Sequence, residues 1–86
     1  MSEAEVLQKL NEIFSDLFDL PDLQLNYQMS AEDIDEWDSA NHVMLVVEIE
    51  RQFKVKFHTA EVEEMKNVGD LVRMIVKKLE STALVR

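Results

Sequence analysis

Residues 39–53 read SANHVMLVVEIERQF, a run whose apolar side chains recur at the spacing of a helix. At about 100° per residue, one side of this helix carries the predicted buried face, which consists of His42, Leu45, Val46, Ile49 and Phe53. The opposite side carries Ala40, Met44 and Val47, where a surface helix normally presents polar groups. These three are either covered by a neighbouring helix or form an exposed stripe that docks partners. Because the other helices are enough to cover one face, we expect docking.

A first helix is predicted over residues 3–18, where apolar side chains recur at the same spacing. Ser2 followed by Glu5 is a capping-box start, and Leu20-Pro21 is a natural stop. A long connection runs from residue 19 to residue 38. It contains a period-two alternation of apolar side chains at Leu23, Leu25, Tyr27 and Met29. Because a lone strand has nothing to pair with, we expect an extended loop pinned to the core by these side chains.

Two more helices are predicted after residue 53. Thr59 can cap a short helix that ends near Met65. Asn67, with Asp70 three residues later, can cap a final helix, and residues 81–86 are expected to form a frayed tail. The sequence therefore predicts one all-α domain over residues 1–80. This domain is a small four-helix bundle, with three main helices, one short helix and a long loop between the first two.

The composition is that of a folded chain with an acidic surface. Among 86 residues, 9 bases and 18 acids give a net charge of −9, and the hydrophobic share of 47% is too high for a disordered chain. Residues 1–50 hold thirteen acids against a single base, Lys9. This charge argues against nucleic-acid binding and favours partners with basic surfaces.

Several classes of protein are disfavoured by what the sequence lacks. It has no cysteine, and therefore no disulfide or thiolate metal site. No apolar run approaches the roughly 20 residues that a membrane span needs. The first residues carry acids where a secretory signal would carry bases, so we expect a cytoplasmic protein. We also expect a monomer without a metal site.

The start of the 39–53 helix holds the candidate site. Either Asp38 or Ser39 is expected to be the N-cap. Judged from the local sequence alone, an aspartate or serine at such a position usually has no role other than capping. A serine at a helix N-terminus, however, also holds its hydroxyl where unpaired N–H groups and the positive end of the helix dipole favour an attached anion.

Two motifs together resemble an acyl carrier protein, and the likeness extends over nearly the whole chain. They are Trp37-Asp38-Ser39-Ala40, which opens a Val/Leu/Glu-rich helix, and Asn67-Val-Gly-Asp-Leu-Val72. The resemblance implies that Ser39 carries 4′-phosphopantetheine, transferred from coenzyme A by a phosphopantetheinyl transferase, and that Asp38 helps to position this serine. It also implies acyl thioesters on the arm, presented to acyl-loading and acyl-transfer enzymes of a fatty-acid, polyketide or related pathway. A carrier of this kind needs no catalytic residue of its own. The predicted partner-binding residues are Ala40, Met44, Val47 and Glu50.

Several positions depart from the usual pattern of fatty-acid carriers. Ala40 stands where leucine commonly follows the serine, and Asn41 and Met44 replace common acidic residues. Arg51 reverses the charge next to an acidic position. Lys54 replaces the glycine that commonly ends this helix, which costs on the order of 1 kcal/mol if Lys54 is left-handed. These departures indicate a specialised carrier and leave its partners open.

The residues around Ser39 also suggest functions other than that of a carrier. Ser39, His42 and Asp38 include the residue types of a hydrolytic triad. Neighbours one helical turn apart, however, rarely align a base with a nucleophile, so His42 is expected to be structural. Asp33, Asp35 and Asp38 mimic the start of a calcium-binding EF-hand loop that lacks its later glycine and glutamate. A peptidyl or aminoacyl carrier, and an unmodified acidic adaptor that docks partners through the 39–53 helix, both stay open. So does entry of an acyl chain into the core.

Overall fold

The computed structural model describes residues 2–84, and the side chains of residues 2–80. It contains four helices: α1 (Glu3–Phe18), α2 (Ser39–Phe53), α3 (Thr59–Glu63) and α4 (Val68–Leu84). Within the described residues, the sole β pairing is an isolated bridge between Ser30 and Asn67. The predicted all-α four-helix bundle, with its long first loop, is confirmed. No helix in this range is both long enough and apolar enough to cross a membrane.

The α1 helix has the predicted bounds and the predicted cap. The Ser2 N–H donates to Glu5 Oε1 at 2.8 Å, and the Glu5 N–H donates to Ser2 Oγ at 3.2 Å. The helix ends at Phe18, and its C-cap, Asp19, adopts a left-handed conformation with φ 57° and ψ 50°. The chain therefore leaves the helix just before Leu20-Pro21.

The core lies where α1 meets α2 and α4. The predicted buried face of α2 is confirmed: His42 is half-buried, and the other four side chains are buried. The largest fully buried side chains come from all three long helices and are Phe14, Leu10, Leu45, Ile49, Leu71 and Ile75. Burying each of these side chains contributes about 1.5–3 kcal/mol, so the three long helices hold the bundle together.

The long first loop is pinned to the core as predicted, with one exception. Leu23, Leu25 and Met29 are half-buried against the core. Asn11 of α1 secures the same stretch, because its Nδ2 donates to the Leu23 carbonyl at 2.9 Å and its Oδ1 accepts from the Leu25 N–H at 2.7 Å. The expectation of a pinned ring was wrong for Tyr27, which is 41% exposed.

The main chain around Tyr27, and not its ring, fastens the loop to α4. The Gly69 N–H donates to the Tyr27 carbonyl at 2.9 Å, and the Val68 N–H donates to the Met29 carbonyl at 2.8 Å. These bonds satisfy donors in the first turn of α4 that have no partner inside the helix. A Cβ at Gly69 would lie 3.0 Å from the Tyr27 carbonyl oxygen. The close approach of the two backbones explains the glycine.

The start of α3 differs from the prediction. Thr59 is its first helical residue, and His58 is the N-cap. The prediction of a Thr59 cap was wrong because Glu61 reaches back one residue earlier, where its Oε1 accepts from the His58 N–H at 2.8 Å. The helix also ends at Glu63, short of Met65.

The start of α4 agrees with the prediction, whereas its end lies further on. Asn67 Oδ1 accepts from the Asp70 N–H at 2.8 Å, as expected of a cap. We expected a frayed tail over residues 81–86, but the backbone continues as helix to Leu84. The sequence has neither glycine nor proline after Gly69 to stop this helix. Residues 85 and 86 lie outside the described residues, and the division at residue 80 stays a prediction.

Candidate functional site

The candidate site lies where the long loop meets α2, and Trp37 anchors it. Trp37 is only 3% exposed, and its ring meets the ring of Phe14 edge-to-face with centroids 5.0 Å apart. Its backbone N–H donates to the Ile34 carbonyl at 3.0 Å. The buried Trp37 ring holds the end of the loop against the core. Asp38 and Ser39, which follow it, are both exposed.

Asp38 is the N-cap of α2. Its backbone is extended, with φ −103° and ψ −175°, and its Oδ1 accepts from the Asn41 N–H at 2.9 Å. The Asn41 side chain in turn donates to the Glu36 carbonyl at 2.7 Å. Of the two residues predicted for the cap, Asp38 therefore takes the role. Ser39 becomes the first helical residue, with an exposed side chain.

The surroundings of Ser39 fit a phosphodiester on its hydroxyl. The residue opens a helix of 15 residues, whose first turn contains no acidic side chain. The first N–H groups of such a helix point out from its end, and the helix dipole is positive there. Both properties favour a negatively charged group. The Asp38 carboxylate uses the Asn41 N–H and leaves the Ser39 hydroxyl outside the cap.

His42 has hydrogen-bond partners on both ring nitrogens. Trp37 Nε1–H donates to His42 Nδ1 at 2.9 Å, and the two rings stack at 29° with centroids 6.0 Å apart. Because Nδ1 accepts, the ring hydrogen lies on Nε2, which donates to the Val62 carbonyl at 3.3 Å. This is the structural role predicted for His42. Neither nitrogen is directed at the Ser39 hydroxyl as a catalytic base would be.

A cleft of about 520 Å³ opens beside Ser39, between the start of α2 and α3. Its wall includes the buried or half-buried side chains of Trp37, His42, Val62 and Met65. The other residues that line it are exposed and are Ala31, Asp38, Ser39, Glu63 and Lys66. The contribution from α3 could not be predicted, because no local sequence pattern places Val62 against His42.

The outward face of α2 is apolar and exposed, as the docking interpretation requires. Val43 is 59% exposed, and Met44 and Val47 are each 55% exposed; Ala40 is exposed as well. We call these four residues the α2 stripe. The docking residues predicted from the sequence did not include Val43. Its spacing of three residues from Ala40 and four from Val47 could have identified it.

The charged residues beside the α2 stripe have partners within the chain. Glu50 is half-buried, and its Oε2 accepts from the Phe57 N–H at 2.9 Å, which ties the end of α2 to the link that follows. Arg51 pairs with Glu48 at 3.4 Å. Glu50 stays a predicted partner-binding residue, and its bond to the Phe57 N–H gives it a structural role as well. Among residues 2–84, no three acidic, histidine or cysteine side chains lie close enough to hold a metal ion.

Comparison with known proteins identifies the family of the chain. Residues 8–75 match the family model described as "Phosphopantetheine attachment site". The acyl carrier protein of Thermotoga maritima is 33% identical over 78 residues, which cover 91% of this chain and 96% of that protein. The chain belongs to the acyl carrier protein family. The acyl carrier protein of Acidothermus cellulolyticus is also 33% identical, over 75 residues that cover 87% of this chain and 89% of that protein.

Solved structures of acyl carrier proteins share this fold. The solution structure of the holo acyl carrier protein of Geobacter metallireducens has a TM-score of 0.86 and 40% identity, covering 93% of this chain and 92% of that one. The crystal structure of the Thermotoga maritima protein has a TM-score of 0.84, with 95% of each chain covered. Because the identity is 23%, this likeness supports the fold alone. The domain of this family carries covalent 4′-phosphopantetheine, so the predicted cofactor is confirmed.

Proposed function

We propose that this acyl carrier protein bears its 4′-phosphopantetheine on Ser39 Oγ and presents acyl intermediates to partner enzymes. The observation that carries the proposal is the exposed Ser39 at the start of α2, outside the cap that Asp38 provides. When bound, the group supplies a terminal thiol, on which acyl groups are held as thioesters. The chain has no cysteine to supply a thiol itself. We assign it no catalytic residue.

The residues around Ser39 have distinct parts in this proposal. Asp38 positions the serine, because its carboxylate caps the helix that the serine opens. During loading, Ser39 Oγ forms a bond to the phosphorus that bears the pantetheine arm as the pyrophosphate bond of coenzyme A breaks. Adenosine 3′,5′-bisphosphate leaves, and the hydroxyl proton passes to a base of the transferase or to water. The N-terminus of α2 then stabilises the negatively charged phosphodiester.

Intact mass spectrometry tests the attachment. The protein is incubated with coenzyme A, magnesium and a broad-specificity phosphopantetheinyl transferase, and a gain of one phosphopantetheinyl group is expected. Ser39→Ala should show no gain, while its free energy of unfolding changes by no more than about 0.5 kcal/mol, as is usual for surface substitutions. Ser2→Ala is the matched control for loading and should still gain the group, since Ser2 is an exposed serine at the start of α1. Ser39→Ala protein that still gains the group would overturn the assignment.

The proposed partners are the transferase and acyl-loading and acyl-transfer enzymes with basic surfaces. The acidic first half of the chain would attract them, and the α2 stripe would dock them through apolar contact. Met44→Gln and Val47→Gln remove apolar contact without adding charge, so they should lower kcat/KM for loading by the transferase and leave the unfolding transition in place. Tyr27→Gln makes the same kind of change at an exposed apolar side chain outside the stripe, and it should leave both kcat/KM and the unfolding transition unchanged. Unchanged kcat/KM in both stripe variants would exclude the stripe from transferase docking.

The chemistry of the cleft favours acyl cargo over peptidyl or aminoacyl cargo. Trp37, Val62 and Met65 offer mainly apolar surface near the attachment point, and such a surface suits a hydrocarbon chain. A fatty-acid, polyketide or related pathway remains our proposal. The cytoplasmic location, the monomeric state and the lack of nucleic-acid binding stay predictions from the sequence. The unmodified adaptor would be favoured if a competent transferase failed to load the protein.

A further inference from the structure

The wall of the cleft beside Ser39 includes two stacked rings. Trp37 and His42 both line the cleft, and their centroids are 6.0 Å apart. Trp37 also packs against Phe14, a fully buried residue of the core. Trp37 therefore lies between the cleft and the core, and His42 stacks against its ring. We call them the Trp37–His42 floor.

Hydrogen bonds hold this floor across the width of the cleft. The indole N–H of Trp37 donates to His42 Nδ1 at 2.9 Å, and His42 Nε2–H donates to the Val62 carbonyl at 3.3 Å. The loop, α2 and α3 are thereby joined through one imidazole ring. If His42 moved aside, the buried indole N–H would lose its acceptor, which is unfavourable away from water. The floor consequently resists opening toward the core.

We propose that the Trp37–His42 floor sets the length of acyl group that this carrier can shield. This inference rests on the attachment of the arm at Ser39. An apolar acyl group lies in the cleft against Trp37, Val62 and Met65, and it stops at the floor instead of entering the core. The volume of about 520 Å³ is within the range of small-molecule sites. Behind Trp37, the side chain of Phe14 is fully buried in the close-packed core.

The experiment measures how shielding depends on chain length. The protein is loaded from butanoyl-, hexanoyl-, octanoyl-, dodecanoyl- and hexadecanoyl-coenzyme A with a broad-specificity transferase, and loading is verified by intact mass. The rate of thioester cleavage by hydroxylamine is then measured for each chain length. Each methylene that becomes buried should slow cleavage by about fourfold. Rates should stop falling once the chain reaches the floor.

Substitutions in the cleft should move this limit in opposite directions. In His42→Ala, cleavage should continue to slow for chains longer than the limit of the unsubstituted protein. Val62→Phe keeps the floor but shortens the cleft, so the limit should move to shorter chains, whether or not His42→Ala folds. His42→Asn keeps a side-chain acceptor close to the Nδ1 position and should keep the limit. His58→Ala is the matched control and should leave the chain-length limit unchanged, since it removes an exposed histidine at the start of α3.

Three results would overturn the inference. Cleavage that slows steadily up to hexadecanoyl would show that the floor does not stop the chain. Rates independent of length from butanoyl onward would show that the cleft does not hold it. A limit unchanged in both folded His42→Ala and Val62→Phe would assign it to other residues. Absence of any mass gain at loading would instead refute the attachment at Ser39, and with it this inference, so the two failures are distinguishable.

Discussion

Lys54 ends α2 in a conformation that its side chain disfavours. Its φ of 58° and ψ of 47° are left-handed, and glycine is the usual residue at such a helix end. In this region, Cβ crowds the following carbonyl oxygen and costs roughly 1–2 kcal/mol. Lys54→Gly removes the crowding and keeps the backbone N–H, which donates to the Glu50 carbonyl. We therefore expect the substitution to stabilise the domain.

The size of this gain follows from two opposing effects. Relief of the left-handed strain contributes the roughly 1–2 kcal/mol given above. Glycine gives the unfolded chain more freedom, which takes back about 0.4–1 kcal/mol. With the middle of each range, the net gain in the free energy of unfolding is about 0.8 kcal/mol. For a domain of this size, such a gain raises Tm by about 3–6 °C.

Urea and thermal unfolding, followed by far-UV circular dichroism, measure the effect. Lys54→Ala keeps the strain but removes the ammonium group, so it should stay within about 0.5 kcal/mol of the unsubstituted protein. Asp19 has the same left-handed conformation. Asp19→Gly should gain less, because aspartate tolerates this region better than lysine. Lys56→Gly, at a position outside this region, should not stabilise the domain. If Lys54→Gly were no more stable than Lys54→Ala, the strain argument would be refuted.

Two further predictions concern helix starts. Asp38→Ala should cost about 1 kcal/mol, because it removes the cap of α2, whereas Asp38→Asn should be nearly neutral, since asparagine caps equally well. Urea unfolding separates the two, and equal losses would contradict the capping role. At α3, the hydrogen bond from the His58 N–H, and then the Lys78 ammonium at 2.9 Å, hold the pKa of Glu61 below its ordinary value. Because the folded-state pKa is lowered, this contribution to stability is present above the unfolded pKa and is lost as pH falls through the folded value. Glu61→Gln should therefore flatten the acid side of a stability–pH profile, while Glu63→Gln, an exposed neighbour, should not; an unaltered acid side in Glu61→Gln would be evidence against this account.

Much of the helical structure could be predicted because its signals are local. The Ser2–Glu5 capping box marked the start of α1 and Leu20-Pro21 its end, while Asn67 marked the start of α4. The α3 helix is harder, since it has only five residues and so little periodicity. Its start depends on whether Thr59 or His58 is the N-cap; threonine is the commoner cap by residue type, whereas the bond from the His58 N–H to Glu61 is visible only in the structure.

The candidate site could be predicted only in part, for a related reason. Ser39 and Asp38 are adjacent and lie at a helix start, so local chemistry and the family resemblance both point to them. The cleft depends on α3 lying beside the start of α2, and the bond from His42 to the Val62 carbonyl joins residues that are distant in sequence. Likewise, alternation along the loop could not show that Tyr27 faces solvent while its carbonyl accepts from Gly69.

The bonds between the long loop and α4 also bear on how the protein opens locally. Val68 and Gly69 donate their amide hydrogens to loop carbonyls, not to carbonyls of their own helix. Loosening of the loop would therefore expose both amides to exchange with solvent hydrogen, and the loop and the first turn of α4 would open as one cooperative unit. A partner enzyme that displaced the acidic loop would release the start of this distant helix as well. Amide exchange at Val68 and Gly69 thus reports the state of the loop, although both residues belong to α4.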